Sequence, residues 1–271
     1  MLTLFAFGLA LFRSGDPAPP SPRWPALNTL AAVTTKYRME SNSETLVDLS
    51  GVGQPNQQTK IKLIGWLSLT VADTAGGRTV RLVVDSMRLE ADTPMLTQAS
   101  ADSAKGGFLH GRIAPDGRVK DVSVHPDGNT LLVELQGMVY SFFPRVKAGA
   151  RSGEAWTDSL EIPTISSVAN LVNNYRMTYT AAGPESVAGI AGQRINVATS
   201  AKQTGTLENP MAGTMEVEGM VTGNGTFVIA ADGRYLGGTS TFTTDQMIKI
   251  SMAPSPIPVR SQRTMTVTVI P

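Results

Sequence analysis

The residues of this chain that could do chemistry are few and scattered. There is no cysteine, and there are two histidines, His110 and His125. Disulfides, thiolate catalysis, cysteine-ligated clusters and multi-histidine metal sites are therefore excluded. His110 alternates with Phe108 on a strand-like segment, and His125 directly precedes a Pro-Asp-Gly turn. These positions favour a surface or capping role for each histidine over the role of a general base.

The acidic and glycine-rich candidates have structural explanations. Glu216 and Glu218 share one face of a strand-like segment, about 7 Å apart at roughly 3.3 Å per residue. They could hold a cation, but a solvated polar face is the favoured interpretation. Asp116 and Asp232 each precede glycine, which favours turn geometry. Residues 219–225 (GMVTGNG) separate two alternating segments, which predicts a hairpin loop and not a phosphate-binding turn. The sequence thus predicts no catalytic residue, no metal and no cofactor.

Apolar residues on an unexpected face point to a different kind of site. In residues 60–72 (KIKLIGWLSLTVA), Ile64 and Trp66 lie on the face that simple alternation leaves polar. They either line a cavity inside a curved sheet or contact the predicted helix as part of the core. Sites for apolar ligands are concave and mostly apolar. The candidate walls of such a site are Trp66, Phe108, Met138 and Phe142.

The elements that must position these residues are mainly strands. Apolar residues alternate with polar ones over residues 60–72, around residues 214–221 and over residues 264–269. Such one-sided alternation is typical of antiparallel sheets. Residues 129–143 instead carry apolar residues at helical spacing between a Pro-Asp-Gly turn and Pro144, which predicts one principal amphipathic helix. The predicted fold is mainly β: a curved antiparallel sheet or half-barrel with this helix against it.

A weak internal repeat suggests two related β-rich halves. Tyr-Arg-Met occurs at residues 37–39 and 175–177, and an Ile-Ala-x-Asp-Gly-Arg hairpin signal occurs at residues 113–118 and 229–234. The first half is predicted to span residues 26–163 and the second residues 164–271.

The N-terminus indicates export. Residues 1–12 form an uncharged, mostly apolar run, and residues 13–25 form a proline-rich linker. The run is too short to cross a bilayer and resembles the apolar core of a signal peptide, although the usual positive start is missing. A membrane-surface anchor and an N-terminus that packs on the domain are the alternatives. The formal net charge of +1 argues against nucleic-acid binding, which needs an excess of cations.

Residues 143–149 (FPRVKAG), continuing to Gly153 and Trp156, follow the predicted helix, and residues 117–119 (GRV) supply a hairpin upstream. This arrangement resembles uncharacterised exported bacterial β-rich proteins, which are similar to the lipoprotein-carrier-like half-barrels of the periplasm. In this sequence Trp156 lies further from the glycine than in that pattern. The resemblance covers chiefly residues 108–156. It implies an open sheet around helices that holds acyl chains in an exported protein, and it carries over no catalytic residue.

Together these observations predict a non-catalytic periplasmic or secreted protein that carries or senses a hydrophobic ligand such as a lipid. The alternatives are a structural subunit that docks on the outer face of a membrane protein complex, and a hydrolytic enzyme. A closed core without a pocket favours the docking subunit. A cleft with convergent carboxylates, or a serine–histidine contact, favours the enzyme.

Overall fold

The computed structural model describes residues 32–271 except residues 76, 94–96, 115–116, 128, 148, 167–168, 210–212 and 251–254. The predicted apolar segment 1–12 and linker 13–25 lie outside the described residues. The strands are β1 (Val33–Val47), β2 (Gln57–Thr74), β3 (Gly77–Ala91), β4 (Phe108–Ile113), β5 (Val119–His125), β6 (Ala155–Ser166), β7 (Ala169–Val187), β8 (Ile190–Asn209), β9 (Gly213–Ala230), β10 (Tyr235–Ile250) and β11 (Ile257–Ile270). The helices are α1 (Gln98–Ser103) and α2 (Thr130–Ser141), and a 3₁₀ turn spans Ser50–Val52.

All eleven strands belong to one antiparallel sheet that curls into a half-barrel. Its spatial order is β5-β4-β3-β2-β1-β11-β10-β9-β8-β7-β6. The first and last strands pair with each other in the middle of the sheet, and the two edges are β5 and β6. The predicted fold class is therefore confirmed. The two predicted halves lie in one continuous sheet, and the boundary at residue 163 falls inside β6. Whether the halves are related stays a prediction.

Alternation in the sequence sets the two faces of this sheet. In β2, Leu63, Leu67 and Leu69 are buried while Lys60 and Trp66 are exposed, as expected for side chains that alternate across a strand. Each of the strands β1–β5 and β7–β11 contributes buried residues to the core cluster that also contains the apolar residues of α2. We call the face on that side the inner face of the sheet, and the opposite face the outer face.

Helix α2 connects the two edge strands and fills one end of the inner face. Asn129 caps it by accepting a hydrogen bond from the Leu132 amide at 3.2 Å. Leu132 and Leu135 are fully buried, and Met138 and Phe142 are almost so. The predicted helix over residues 129–143 is confirmed, with its boundaries shifted by one or two residues.

Helix α1 covers a strand edge that the sheet leaves unpaired. Strand β4 pairs with β3 only from Arg78 to Val83. Beyond that point the Gln98 side chain takes the place of a strand: its amide donates to the Met87 carbonyl at 3.0 Å and accepts from the Leu89 amide at 2.9 Å. This contact satisfies backbone groups that would otherwise form an exposed edge.

Candidate functional site

Two of the four residues predicted to line a ligand site lie in the packed core. Met138 and Phe142 are on the buried side of α2. The Phe142 ring lies 4.8 Å from the ring of Tyr37 and 5.1 Å from that of Tyr235. Tyr37 in turn donates its hydroxyl to the Tyr235 carbonyl at 2.7 Å. These aromatic contacts join the helix to the middle of the sheet.

The other two predicted residues lie on the outer face. Trp66 is 37% exposed and pairs in register with Arg38 and Ser86. Phe108 is half-buried, with the Arg81 guanidinium 4.0 Å above its ring and the His125 ring stacked at 4.8 Å. The expectation that Trp66 lines an inner cavity or contacts the helix is therefore wrong, because its position in β2 directs it away from the core.

The structure thus divides the four predicted residues between two faces of the sheet. They do not converge on one cavity, and whether either pair binds a ligand stays a prediction. Two depressions that the structure describes, of about 610 and 480 Å³, are open to solvent and are lined mainly by polar outer-face side chains such as Asn42, Thr178 and Thr241. Both are open depressions on the outer face and do not enclose a ligand as a concave binding site does.

The inner face extends well beyond the helix. The packed core ends near Met177, Met265 and Ile61, whereas the strands continue past it. Side chains on this extension are buried or half-buried, and they include Ala201, Val217 and Val221, which lie outside the core cluster. We call this surface the distal concave face. It consists of the inward-facing residues in 171–177 of β7, 199–205 of β8, 217–223 of β9, 242–248 of β10, 259–263 of β11 and 43–47 of β1.

Glycines in β9 form the floor of this face. Residues 219–225, predicted as a hairpin loop, lie inside the continuous strand β9, so that prediction is wrong. A Cβ atom on Gly223 would stand 2.4 Å from Cδ1 of Phe242, so the ring occupies the space above the glycine. Gln246 donates to Gln203 across β9, over Gly219. Side chains from the flanking strands therefore lean over β9 at Gly219 and Gly223, which carry no side chain.

Arg263 of β11 and Tyr175 of β7 both face inward on the distal concave face. The Arg263 Nε atom donates to the Ser41 hydroxyl at 2.9 Å. Burial raises the pKa of Tyr175, and the nearby Arg263 charge lowers that pKa in part. Their strands, β7 and β11, are four steps apart, or about 19 Å along a flat sheet. The effect of the Arg263 charge on this pKa fits the curl of the sheet.

A buried carboxylate joins the two edges of the half-barrel. Asp158 of β6 is 8% exposed and accepts hydrogen bonds from Arg118 at 2.5 Å and from Arg145 at 3.3 Å. Arg118 precedes β5, and Arg145 lies in the loop after α2, where its carbonyl accepts from Trp156 Nε1 at 2.6 Å. We call Asp158, Arg118 and Arg145 the edge clamp. The sequence pattern pointed to the segments that contain Arg118 and Arg145 but carried no signal for their common partner, Asp158.

The polar candidates form one serine–histidine contact among the described residues, of the kind that would favour the enzyme. Ser123 Oγ lies 3.1 Å from His125 Nε2, but both residues are exposed on the outer face of edge strand β5, outside any described cleft. Glu218 pairs with Lys202 at 3.5 Å on the solvated outer face. Asp232 accepts from the backbone amide of Arg234 at 3.1 Å within its turn. The described residues contain no group of three or more histidine, aspartate or glutamate side chains that could hold a metal ion.

The class defined by this geometry is an open antiparallel half-barrel with a helix at one end of its inner face. Within the part of the chain that the structure describes, no helix is long and apolar enough to cross a membrane.

Comparison with known proteins adds little to this description. No family model and no curated protein matches the chain. Among solved structures it aligns with Acinetobacter baumannii OccAB4 (7% identity, 90% of this chain and 100% of that chain, TM-score 0.25). It also aligns with a triple mutant of the Rhodopseudomonas blastica porin (9% identity, 87% and 100%, TM-score 0.25) and with the beta domain of the Bordetella autotransporter BrkA (10% identity, 88% and 99%, TM-score 0.26). Such low TM-scores carry no functional argument.

Proposed function

We propose that this protein is a non-catalytic, exported carrier or sensor of a chain-like apolar molecule, which it binds on the distal concave face. The observation that carries the proposal is the mismatch in length between helix and sheet. Helix α2 has 12 residues, or about 18 Å. Strands β7–β10 have 16 to 20 residues, or about 53–66 Å. Among the residues that the structure describes, the helix therefore leaves a large part of the inner face uncovered.

Apolar side chains on that surface support an apolar, chain-like ligand. Val217 and Val221 face inward on β9, Phe242 and Ile248 face inward on β10, and Leu171 faces inward on β7. Burying apolar area of a ligand here contributes about 25 cal/mol per Å². The resemblance of residues 143–156 to exported half-barrels supports the same ligand class and a periplasmic or secreted location, with a membrane-peripheral position as the alternative.

Titration of the full chain with the neutral fluorophore N-phenylnaphthylamine tests this proposal. Thr199 is an inward-facing, half-buried residue between Met177 and Gly223, whereas Ala198 is exposed on the outer face of the same strand. We expect saturable binding at one site, weakened at least about tenfold by Thr199→Trp and unchanged by Ala198→Trp. Ser43→Phe, on the opposite side of the distal concave face, is a second filling variant if Thr199→Trp does not fold.

Two results would overturn the proposal. One is the absence of saturable binding to the wild-type protein. The other is equal affinity in the wild type and in a filling variant that keeps the wild-type circular dichroism spectrum, since the fluorophore would then bind elsewhere.

A docking subunit is the second candidate function, and the exposure of Trp66 favours it. An exposed tryptophan beside the half-buried Ile64 and the Arg38 guanidinium has the composition of an interface anchor. Native mass spectrometry of protein purified from its own host separates the two functions. A bound lipid supports the carrier, and a bound protein that is lost in Trp66→Ser supports docking.

A further inference from the structure

Three carboxamide side chains lie in one row across the distal concave face. Asn173 of β7 pairs in register with Gln203 of β8, Gln203 pairs with Gly219 of β9, and Gly219 pairs with Gln246 of β10. The three steps between these neighbouring strands span about 14 Å. We call Asn173, Gln203 and Gln246 the amide row. Because Gly219 carries no side chain, the row is polar on β7, β8 and β10 and open above β9.

The amide row interrupts a surface that is apolar on either side of it. In the next row toward the distal end, Leu171, Val217 and Ile248 face inward. In the next row toward α2, Ala201 and Val221 face inward, and both are buried. The alternation of the strands requires these positions to face inward, but it does not require a polar side chain at any of them. The carboxamides therefore need an explanation other than the fold of the sheet.

Asn173 is the buried member of the amide row. It is 7% exposed, and its side chain forms no hydrogen bond with another of the residues that the structure describes. Buried carboxamides in folded proteins are normally hydrogen-bonded, because an unpaired donor or acceptor loses its bonds to water without replacement. An unpaired carboxamide that faces inward on this surface therefore points to a bound molecule that supplies its partner.

Gln203 offers hydrogen-bond donors beside Asn173. The Gln246 side-chain N–H donates to the side-chain oxygen of Gln203, so this bond uses the acceptor of Gln203 and leaves its N–H groups. Within the described part of the chain, this is the one side-chain hydrogen bond of Gln203. Strands β7 and β8 thus present donors at Gln203 and both donors and an acceptor at Asn173. An amide group of a ligand matches this set, because its carbonyl accepts and its N–H donates.

We propose that the ligand is an acyl amide, a single apolar chain joined to an uncharged amide group that binds at the amide row. The carbonyl of the ligand accepts from Gln203 and its N–H donates to Asn173, while the chain lies over the apolar side chains beside the row. A carboxylate would lose more hydration here, because the carboxamides of the row offer it no positive charge. This inference rests on the proposed carrier function and specifies the polar group of its ligand.

Displacement of N-phenylnaphthylamine from the full chain by dodecanamide, methyl dodecanoate and dodecanoate tests the inference. The three compounds share an acyl chain, but the methyl ester has no donor and dodecanoate is charged. We expect dodecanamide to bind at least about tenfold more tightly than either of the others. Asn173→Leu should remove this preference. Asn174→Leu is the matched control and should keep it, because Asn174 is exposed on the outer face of the same strand.

The stability of Asn173→Leu separates ligand binding from a structural role. Leucine has a similar size and no polar group to desolvate, so the midpoint of unfolding in urea should be no lower than that of the wild type. Gln203→Leu, which removes the donors for the ligand carbonyl, should also abolish the preference for dodecanamide, and it decides the question if Asn173→Leu does not fold. A lower midpoint for Asn173→Leu, together with a retained preference in Gln203→Leu, would make Asn173 structural and overturn the inference.

The outcomes also separate this inference from the carrier function. If the three compounds displace the fluorophore equally from the wild type, or if dodecanoate binds most tightly, the amide inference is overturned and the carrier function stands. The same holds if a folded Asn173→Leu keeps the preference for dodecanamide. If none of the three compounds displaces the fluorophore, the carrier function fails and this inference fails with it.

Discussion

Replacing Asp158 by asparagine removes the charge of the edge clamp without changing the size of the side chain. The carboxylate is almost fully buried, whereas the side chains of Arg118 and Arg145 are 33% and 57% exposed. Removing one partner of a fully buried ion pair costs about 3–5 kcal/mol. Because both guanidiniums here keep access to water, we expect an effect at or below the lower limit of that range, a loss of about 2–3 kcal/mol in the free energy of unfolding.

Urea denaturation followed by circular dichroism measures this loss, and thermal unfolding should show a midpoint lower by roughly 5–10 °C. Asp73→Asn is the matched control. Asp73 pairs with Arg78 at 2.8 Å but is 64% exposed, so its loss should cost no more than about 0.5–1 kcal/mol. Arg118→Gln should be more harmful than Arg145→Gln, since Arg118 is closer to the carboxylate and less exposed.

The part of the sheet in which amide hydrogen exchange increases provides an independent check on the role of the edge clamp. Amide hydrogen exchange in Asp158→Asn should rise first in β5 and β6, because the carboxylate connects these edge strands through Arg118 and the loop after α2. Equal destabilisation by Asp158→Asn and Asp73→Asn, or exchange that rises uniformly across the sheet, would refute the role assigned to Asp158.

Three further predictions concern packing and titration. Leu135→Ala should lower the free energy of unfolding by about 2–5 kcal/mol, because Leu135 is fully buried. Gly137 is at an exposed helix position with open space around a new Cβ, so Gly137→Ala should raise the free energy of unfolding by about 0.5–1 kcal/mol. Urea titration measures both changes. Gly223→Ala should destabilise by about 1–3 kcal/mol, because the new methyl group would meet the Phe242 ring; wild-type stability in this variant would contradict the packing described for β9. Burial raises the pKa of all five tyrosines. Their contribution to stability is therefore present below pH about 10 and is lost as the pH rises above that value. Phenolate absorbance should appear together with unfolding and not before it.

The local parts of the fold could be predicted from sequence, because the signals that specify them lie within each segment. Alternation in residues 60–72 fixes the two faces of β2, and helical spacing with a turn before it and Pro144 after it delimits α2. The pairing of β1 with β11 has no such local signal. It joins residues more than two hundred positions apart, such as Tyr37 and Val269, and depends on how every intervening strand is placed.

The candidate site was predicted less well, for two physical reasons. Glycine is common in loops, so the glycines of residues 219–225 suggested a turn, whereas in this sheet they make room for neighbouring side chains on a curled strand. Trp66 was expected inside because tryptophan is large and apolar, yet its parity in β2 places it on the outer face. The apolar character of a residue did not indicate its face, whereas its position in the alternation did.

The placement of the edge clamp and of α2 also determines where the half-barrel is accessible. Both lie where the chain passes from β5 to β6, so the interior between the two edges is filled from that side by the helix and the loop that follows it. Strands β7–β10 extend away from this filled end, and their inward side chains become half-exposed in the same direction. A ligand of the proposed class would therefore enter from the distal end. Such an entry requires no movement of α2, so a variant that destabilises the edge clamp should lower stability while leaving the affinity of the folded protein for N-phenylnaphthylamine unchanged.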